Sequence, residues 1–375
     1  MRNFDTIVVG LGAMGSATAY QLASHGAKVL GLEQYSLNHT NGSSHGKTRI
    51  IRTAYYEHPS YVPLVRRALE LWQQLQHNAG IELLRMTGGA MFGLPGCELV
   101  SGAISSAKQH NIPHEVLTGS EAQDRFPIFQ PAGEEVAVYE KNAGVLLPEE
   151  CVKAQARLAE KFGAQLHYNE PVTGWNSKGN GVEVRATKET YTANSLVFSA
   201  GAWLPQLIPD LKLPLQCERQ VFFWFKPHEH GTLFMVDKMP IFMWQMKDKR
   251  FFYGIPDMGD GVKAARHHGG EITSPDRVRR EITQLDEAPV REFLKQHIPS
   301  LNNPPASSAT CLYTNTNDEH FIIDFHPSHR NVLILSPCSG HGFKFSTAIG
   351  EVAQQLLQEN KSKLNIDLFK IDRFK

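Results

Sequence analysis

Three glycines and one acid offer the first chemistry in this chain. Gly10, Gly12 and Gly15 are spaced as Gly-x-Gly-x-x-Gly, and Glu33 closes the apolar run that follows. In that pattern Gly10 permits a tight turn, Gly12 lets backbone approach a pyrophosphate, and Gly15 lets a helix pack on a strand. The helix N-terminus then presents unpaired N–H groups and a positive dipole end to phosphates. Glu33 can accept both hydroxyls of a ribose and would repel a 2′-phosphate. The set predicts a bound dinucleotide, but by itself it does not separate FAD from NAD. A second glycine-rich turn, Ser339-Gly340-His341-Gly342-Phe343-Lys344, leads into the last helix. A helix starting near Gly342 would stabilise a ring that gains negative charge on reduction, which favours a flavin. NAD enzymes do not need such a site at the far end of the chain.

These residues need elements to position them. Residues 6–9 form a β-branched run that reads as a buried strand. A helix carrying Ala19, Leu22 and Ala23 follows and stops at Gly26, and Val29-Leu30 begins a second strand. The polar loop 37–49 is too long for an ordinary connection and has three cations in or beside it, Lys47, Arg49 and Arg52. Its run into Ile50-Ile51 argues that it is ordered. A helix with Leu64, Ala68, Leu71 and Leu75 on one face ends near Gly80. The sequence predicts a strand over 83–94 interrupted by Gly88-Gly89, then helices over 103–108 and 120–125. Pro148 opens a further helix with Val152, Ala156, Ala159 and Phe162 on one side. Residues 182–186 alternate as a half-exposed strand. Residues 196–199 read as a buried strand whose small-residue end, Ala200-Gly201-Ala202, passes close to a cofactor. Aromatic segments at 221–225, 232–236, 241–244 and 251–253 predict a separate, mainly antiparallel sheet. Helices are expected over 276–284 and 290–296, and strands at Cys311, 320–324 and 332–335. The last helix carries Ile349, Val352, Leu356 and Leu357. The chain thus leaves the nucleotide fold twice and returns twice.

Bulk properties narrow the function. Lysine plus arginine equals aspartate plus glutamate at 38 each, so no charge excess points to nucleic acid or an anionic membrane. No apolar run approaches the length that spans a bilayer. The chain enters a strand almost at once, so no signal peptide is expected. Five widely spaced cysteines fit neither a disulfide framework nor a zinc pattern. These features predict a soluble, cytoplasmic protein. His267-His268 and His228-Glu229-His230 read as non-ligating: adjacent strand residues face opposite sides, and the second group sits in a turn after Pro227. No metal is expected.

Three motifs carry a family resemblance over essentially the whole chain. Asn41-Gly42-Ser43-Ser44-His45-Gly46 with Thr48-Arg49-Ile50-Ile51-Arg52 is the first. Cys311-Leu312-Tyr313-Thr314 with Asp318-Glu319-His320-Phe321-Ile322-Ile323-Asp324 is the second, and Ser339 to Phe345 is the third. They resemble the monomeric sarcosine oxidase family, which also holds N-methyltryptophan, pipecolate and fructosyl-amino-acid oxidases. The resemblance implies an α/β fold with a glutathione-reductase-like FAD-binding Rossmann domain (1–84, 145–214, 318–375). It also implies a mainly antiparallel α+β substrate domain (85–144, 215–317).

The same resemblance assigns roles. Cys311 is where the family attaches FAD, which requires a thiolate-capable sulfur in a cationic environment. Lys263 is similar in placement to a lysine near the flavin that stabilises superoxide-like charge during oxygen reduction. Arg52 and Lys344 resemble the pair that clamps the substrate carboxylate, a planar two-toothed donor with a compact charge. Tyr253, His267 and Tyr313 look like the side chains around the bound amine, and the Gly340 carbonyl accepts from its nitrogen. His45 and Arg49 resemble residues packed against the flavin ring. Val172, Gly201 and Gly342 join Gly10, Gly12, Gly15 and Glu33 as cofactor-binding positions. The implied enzyme is a monomeric FAD-dependent oxidase of secondary N-methyl amino acids. It would use a small amino acid and O2 and yield the primary amino acid, formaldehyde and H2O2. The chain departs from the family at Lys47, where an acid is common, at Ala264-Ala265 and at Ser336-Pro337-Cys338. These put the substrate in question more than the reaction. Phe223, Trp224, Phe225, Met243 and Trp244 either narrow the pocket or fill the sheet's core, and the core is the expectation for most.

Overall fold

The structure, a computed structural model, describes residues 3–375. An eight-stranded sheet forms around strand Asn3–Val9. This strand pairs in parallel with Val29–Leu32 on one side and Thr190–Phe198 on the other. Val29–Leu32 pairs in parallel with Gln165–His167. Thr190–Phe198 is shared: its first half takes the antiparallel strand Gly181–Ala186, and Leu196–Phe198 takes His329–Ser336 in parallel. Ile7, Val8, Leu30, Leu196 and Val197 are fully buried: Val8 and Val197 pack beneath the long helices, and Ile7, Leu30 and Leu196 pack with Val182, Val184 and Leu204 on the other face.

The first and last helices bring the two glycine-rich turns together. Helix Ser346–Gln358 lies against helix Ala13–Ser24, and a Cβ on Gly350 would stand 2.6 Å from the Ala17 carbonyl oxygen. That close approach fixes the turn before the last helix beside the turn after the first strand. The chain's ends are therefore joined in space by packing, not by adjacency in sequence.

A nine-stranded sheet forms the second half. Its order runs Ile272–Thr273, Gln216–Phe225, Val262–His267, Phe251–Ile255, Ile241–Gln245, Gly89–Gly93, Val136–Glu140, Glu115–Thr118, and Ser307–Asn315 adds on to Gln216–Phe225. Only the pair Ile241–Gln245 with Gly89–Gly93 is parallel. Its outer face carries an aromatic core in which Phe252 stacks on Phe293 at 4.5 Å and Phe92 on Trp244 at 4.1 Å. Arg49–Ile51, Gly144–Leu146 and Leu84–Met86 form a small three-stranded sheet.

Four local expectations change. The single strand over 83–94 is two strands in different sheets, Leu84–Met86 and Gly89–Gly93, because Gly88 adopts φ +73° and turns the chain. Segment 232–236 is not a strand: Gly231–Phe234 is a 3-10 turn that buries Phe234 in the aromatic core. The helix over 276–284 is absent. One helix runs Gln284–His297 from a Thr283/Asp286 capping box. The segment before it is a turn at 275–277 followed by irregular chain, whose Arg279 and Glu281 carbonyls accept from Arg219 at 2.6 and 2.8 Å. Phe162 leaves the buried side of its helix and is half exposed as the residue just past the last turn.

Candidate active site

A continuous cavity of about 270 Å³ is lined from both large sheets. At one end is the turn Gly10–Gly15. No side chain caps helix Ala13–Ser24 at Gly12, and Ser44 Oγ accepts from the Ala13 N–H at 3.1 Å. A Cβ on Gly15 would stand 1.7 Å from the Gly10 carbonyl oxygen, so only glycine lets the helix seat on the strand. Glu33 accepts from the Leu11 N–H at 2.8 Å and the Tyr35 N–H at 3.0 Å. Two backbone donors thus fix a buried carboxylate that still has lone pairs to offer. Gly12, Val172 and Gly201 line the same end. Gly15 does not reach the cavity and acts through packing alone.

The other end is cationic. Arg52 is buried, and its Nη2 donates to both carboxylate oxygens of Glu57 at 2.6 and 2.7 Å. Its guanidinium lies over the Tyr55 and Tyr56 rings at 4.2 and 4.8 Å. Burial alone would raise the Glu57 carboxyl's pKa, but Arg52 prevails and holds it below the usual range. Lys344 donates to the His341 carbonyl at 2.6 Å. Burial, helped by Arg52, brings its pKa down to about 7. Tyr253, His267 and Tyr313 line the space nearby. The Tyr313 hydroxyl lies 3.0 Å from His267 Nδ1. Gly340 has φ +78°, and a Cβ there would stand 2.5 Å from Tyr313 and 2.9 Å from His267. The glycine lets the backbone approach both rings.

Cys311, Lys263 and Arg49 line the same cavity. Lys263 Nζ donates to the Gly46 and Thr48 carbonyls at 2.9 and 3.1 Å and sits 4.0 Å from the Phe222 ring centre. Burial, with Arg49, pulls its pKa well below the usual lysine range, while the carbonyls and ring face hold a proton on it. Cys311 lies on Ser307–Asn315 opposite Gln220. The expected cationic surroundings are present in Arg49, Lys263 and Arg280, each of which lowers the thiol pKa. Burial nevertheless outweighs them and raises it, a correction to the lowered thiol expected from the charges alone. His45 is buried behind this wall and does not line the cavity; burial, with Arg49 and Lys263, brings its pKa to about 3.

The sequence reading did not single out Glu57, although it stands five positions after Arg52, nor Glu218. It set His268 facing away from His267, whereas the two rings lie 4.1 Å apart, because the strand ends at His267 and His268 turns with φ +60°. Of the five bulky residues, Phe223, Phe225 and Trp244 belong to the core, Trp224 packs with Phe222 and Cys311, and Met243 lines the cavity. Lys47 pairs with Asp260 at 2.5 Å on the surface.

The residues fit a dinucleotide. The uncapped helix start, the fixed carboxylate and the glycine turn form a cradle at one end. Thr48 Oγ1, Arg52 Nε and Thr314 Oγ1 are buried polar atoms with no protein partner, and all three residues line the cavity. No helix among the described residues is long and apolar enough to cross a membrane.

Comparison with known proteins agrees with this geometry. A family model described as FAD dependent oxidoreductase matches residues 5–356. The chain is 40% identical over 370 residues to monomeric sarcosine oxidase of Streptomyces avermitilis, covering 98% of this chain and 96% of that one. It is 35% identical over 375 residues to N-methyl-L-tryptophan oxidase of Yersinia pestis, covering both chains fully. Among solved structures, L-proline dehydrogenase from P. horikoshii superposes with a TM-score of 0.86 at 22% identity, covering 100% and 98% of the chains. Glycine oxidase from Geobacillus kaustophilus gives 0.82 at 18%, covering 99% of each.

Proposed function

The chain belongs to the FAD dependent oxidoreductase family, alongside monomeric sarcosine oxidase and N-methyl-L-tryptophan oxidase, and from that premise we propose that it oxidises secondary N-methyl amino acids, sarcosine foremost. The amine and O2, with water, would give the primary amino acid, formaldehyde and H2O2. One observation carries this reading. Arg52 and Lys344 wall the same cavity as Tyr253, His267, Tyr313 and Gly340, and that cavity continues to the dinucleotide cradle.

When bound, FAD supplies the two-electron acceptor that takes the hydride equivalent and passes it to oxygen. The protein's residues do the rest. Arg52 and Lys344 would neutralise the substrate carboxylate, in competition with Glu57. The Gly340 carbonyl would accept from the amine N–H and orient it, while burial and the charges of Arg52 and Lys344 would favour the neutral amine. Tyr253, His267 and Tyr313 would exclude water around the N-methyl group. Lys263 would place positive charge, and a proton it releases more readily than an exposed lysine does, where oxygen is reduced. His45 and Arg49 would set the electrostatics of the flavin wall. Cys311 would carry the flavin covalently, its thiolate favoured by Arg49, Lys263 and Arg280 against burial. We read the protein as a monomer, as its sarcosine-oxidase relatives are named, and as cytoplasmic.

Incubation with sarcosine in air should yield glycine, formaldehyde and H2O2 in equal amounts. N-methyl-L-tryptophan tests the larger substituent in parallel. Consumption of neither amine would remove the proposed substrate class.

A further inference from the structure

Behind His267 lies a cluster that the catalytic reading does not use. His268 follows it with φ +60°, a left-handed backbone that is uncommon outside glycine. Its ring packs 4.1 Å from the His267 ring and 5.3 Å from the Tyr313 ring, centre to centre. Its Nδ1 lies 3.5 Å from Glu218 Oε2. Glu218 is buried on strand Gln216–Phe225, directly across from Tyr313 in the ladder. It also accepts from the Gly270 N–H at 2.5 Å, from Asn315 Nδ2 at 2.5 Å and from Gln220 Nε2 at 2.7 Å.

The arrangement is a clamp. Strand Val262–His267 ends at His267, and Glu218 holds both the side chain of the next residue and the backbone two residues beyond that. Four donors around one buried carboxylate leave the turn little freedom, and the turn fixes where the His267 ring stands. Gly270 is required there, since a Cβ would stand 1.8 Å from the Arg219 carbonyl oxygen.

We propose that His268, clamped by Glu218, is a positioning residue for His267. This rests on the amine-oxidase reading above. The groups that face the pair are known from every side. Glu218 comes from the neighbouring strand, and Glu319 approaches His268 Nε2 at 3.9 Å from the loop opposite. Tyr313 and Tyr253 flank His267 in the sheet. His341, Lys344 and Arg52 reach His267 electrostatically from the two cofactor-side segments. Burial holds the His267 pKa well below the usual imidazole range, so its ring stays neutral, with Nδ1 at the Tyr313 hydroxyl.

The test compares the holoenzyme with His268→Asn and Glu218→Gln at one pH. Asparagine is chosen because it tolerates left-handed backbone. Two readouts are taken: anaerobic bleaching of the flavin by sarcosine, and the His267 ring signal in 13C-histidine-labelled protein, assigned through His267→Asn. His268→Asn should move the His267 ring signal and lower the bleaching rate constant over Kd by roughly threefold or more while flavin content and thermal midpoint stay unchanged. Glu218→Gln, which loosens the same clamp, should move the ring signal as well. A His267 signal at the parent position in both variants would overturn the proposal. If no protein is bleached but the ring signal still moves, the positioning stands and the substrate reading fails.

Discussion

Arg52 and Glu57 form a buried ion pair in the wall of the substrate end, with Nη2 2.6 and 2.7 Å from the two carboxylate oxygens. The guanidinium proposed to receive a substrate carboxylate is thus already holding one. Glu57→Gln removes that competing charge but keeps an acceptor for the guanidinium, so Arg52 is not left unpaired. At an effective dielectric of about 40, between the surface value and bulk water, repulsion across roughly 8 Å is about 1 kcal/mol, or roughly fivefold in affinity. Sarcosine should bind about fivefold more tightly to Glu57→Gln, read from the Kd of the reductive half-reaction. Weaker binding would mean instead that Glu57 is needed to hold Arg52 in place.

Lys344 titrates at about 7 because it is buried beside Arg52. Below that pH it is charged and helps bind a carboxylate, and above it the charge is lost. The Kd for acetate, which carries no titrating amine, should therefore rise as pH increases through 7, and Lys344→Met should flatten the dependence. Linkage gives a second sign. The unfolded lysine keeps its proton to about pH 10.4, so between 7 and 10.4 the unfolded chain binds more protons and this group makes stability rise with pH. The thermal midpoint of the ligand-free protein should lose that component in Lys344→Met.

Acid precipitation separates covalent from loosely held flavin. Yellow colour should stay in the pellet of the parent protein and pass to the supernatant in Cys311→Ser. Arg49→Gln should leave a smaller covalent fraction, since it removes the largest charge opposing burial at the thiol. Parent colour in the supernatant would remove the role given to Cys311 without touching the dinucleotide site.

Lys263→Met tests the oxygen step apart from the amine step. Anaerobic bleaching by sarcosine should change little, whereas reoxidation by O2 should slow by about a hundredfold or more, the usual scale for removing one preorganised charge. Equal turnover with O2 in the variant would favour a dehydrogenase that uses another acceptor.

What could be read in the sequence was local or family-borne. Gly15 and Glu33 announce themselves because a tight turn and a terminal acid leave fixed spacings. The catalytic end is scattered over Arg52, Lys263, Cys311 and Lys344, and only the resemblance drew these together. Glu57 escaped notice because its partner matters more than its spacing. Glu218 and His268 are fifty positions apart and meet only through sheet register. Segment 276–284 misled because helix-forming composition was overridden by the claims of Arg219 on its carbonyls. At 232–236, an apolar run imitated a strand, yet the burial of Phe234 favoured a 3-10 turn.

The most direct measurement is the flavin spectrum of the holoenzyme before and after anaerobic addition of sarcosine. Complete loss of the absorbance near 450 nm, with one formaldehyde per flavin after the sample is opened to hydrolysis, is the predicted result. A flavin that stays oxidised with sarcosine and with N-methyl-L-tryptophan would contradict the assignment of this cavity to N-methyl amino acids.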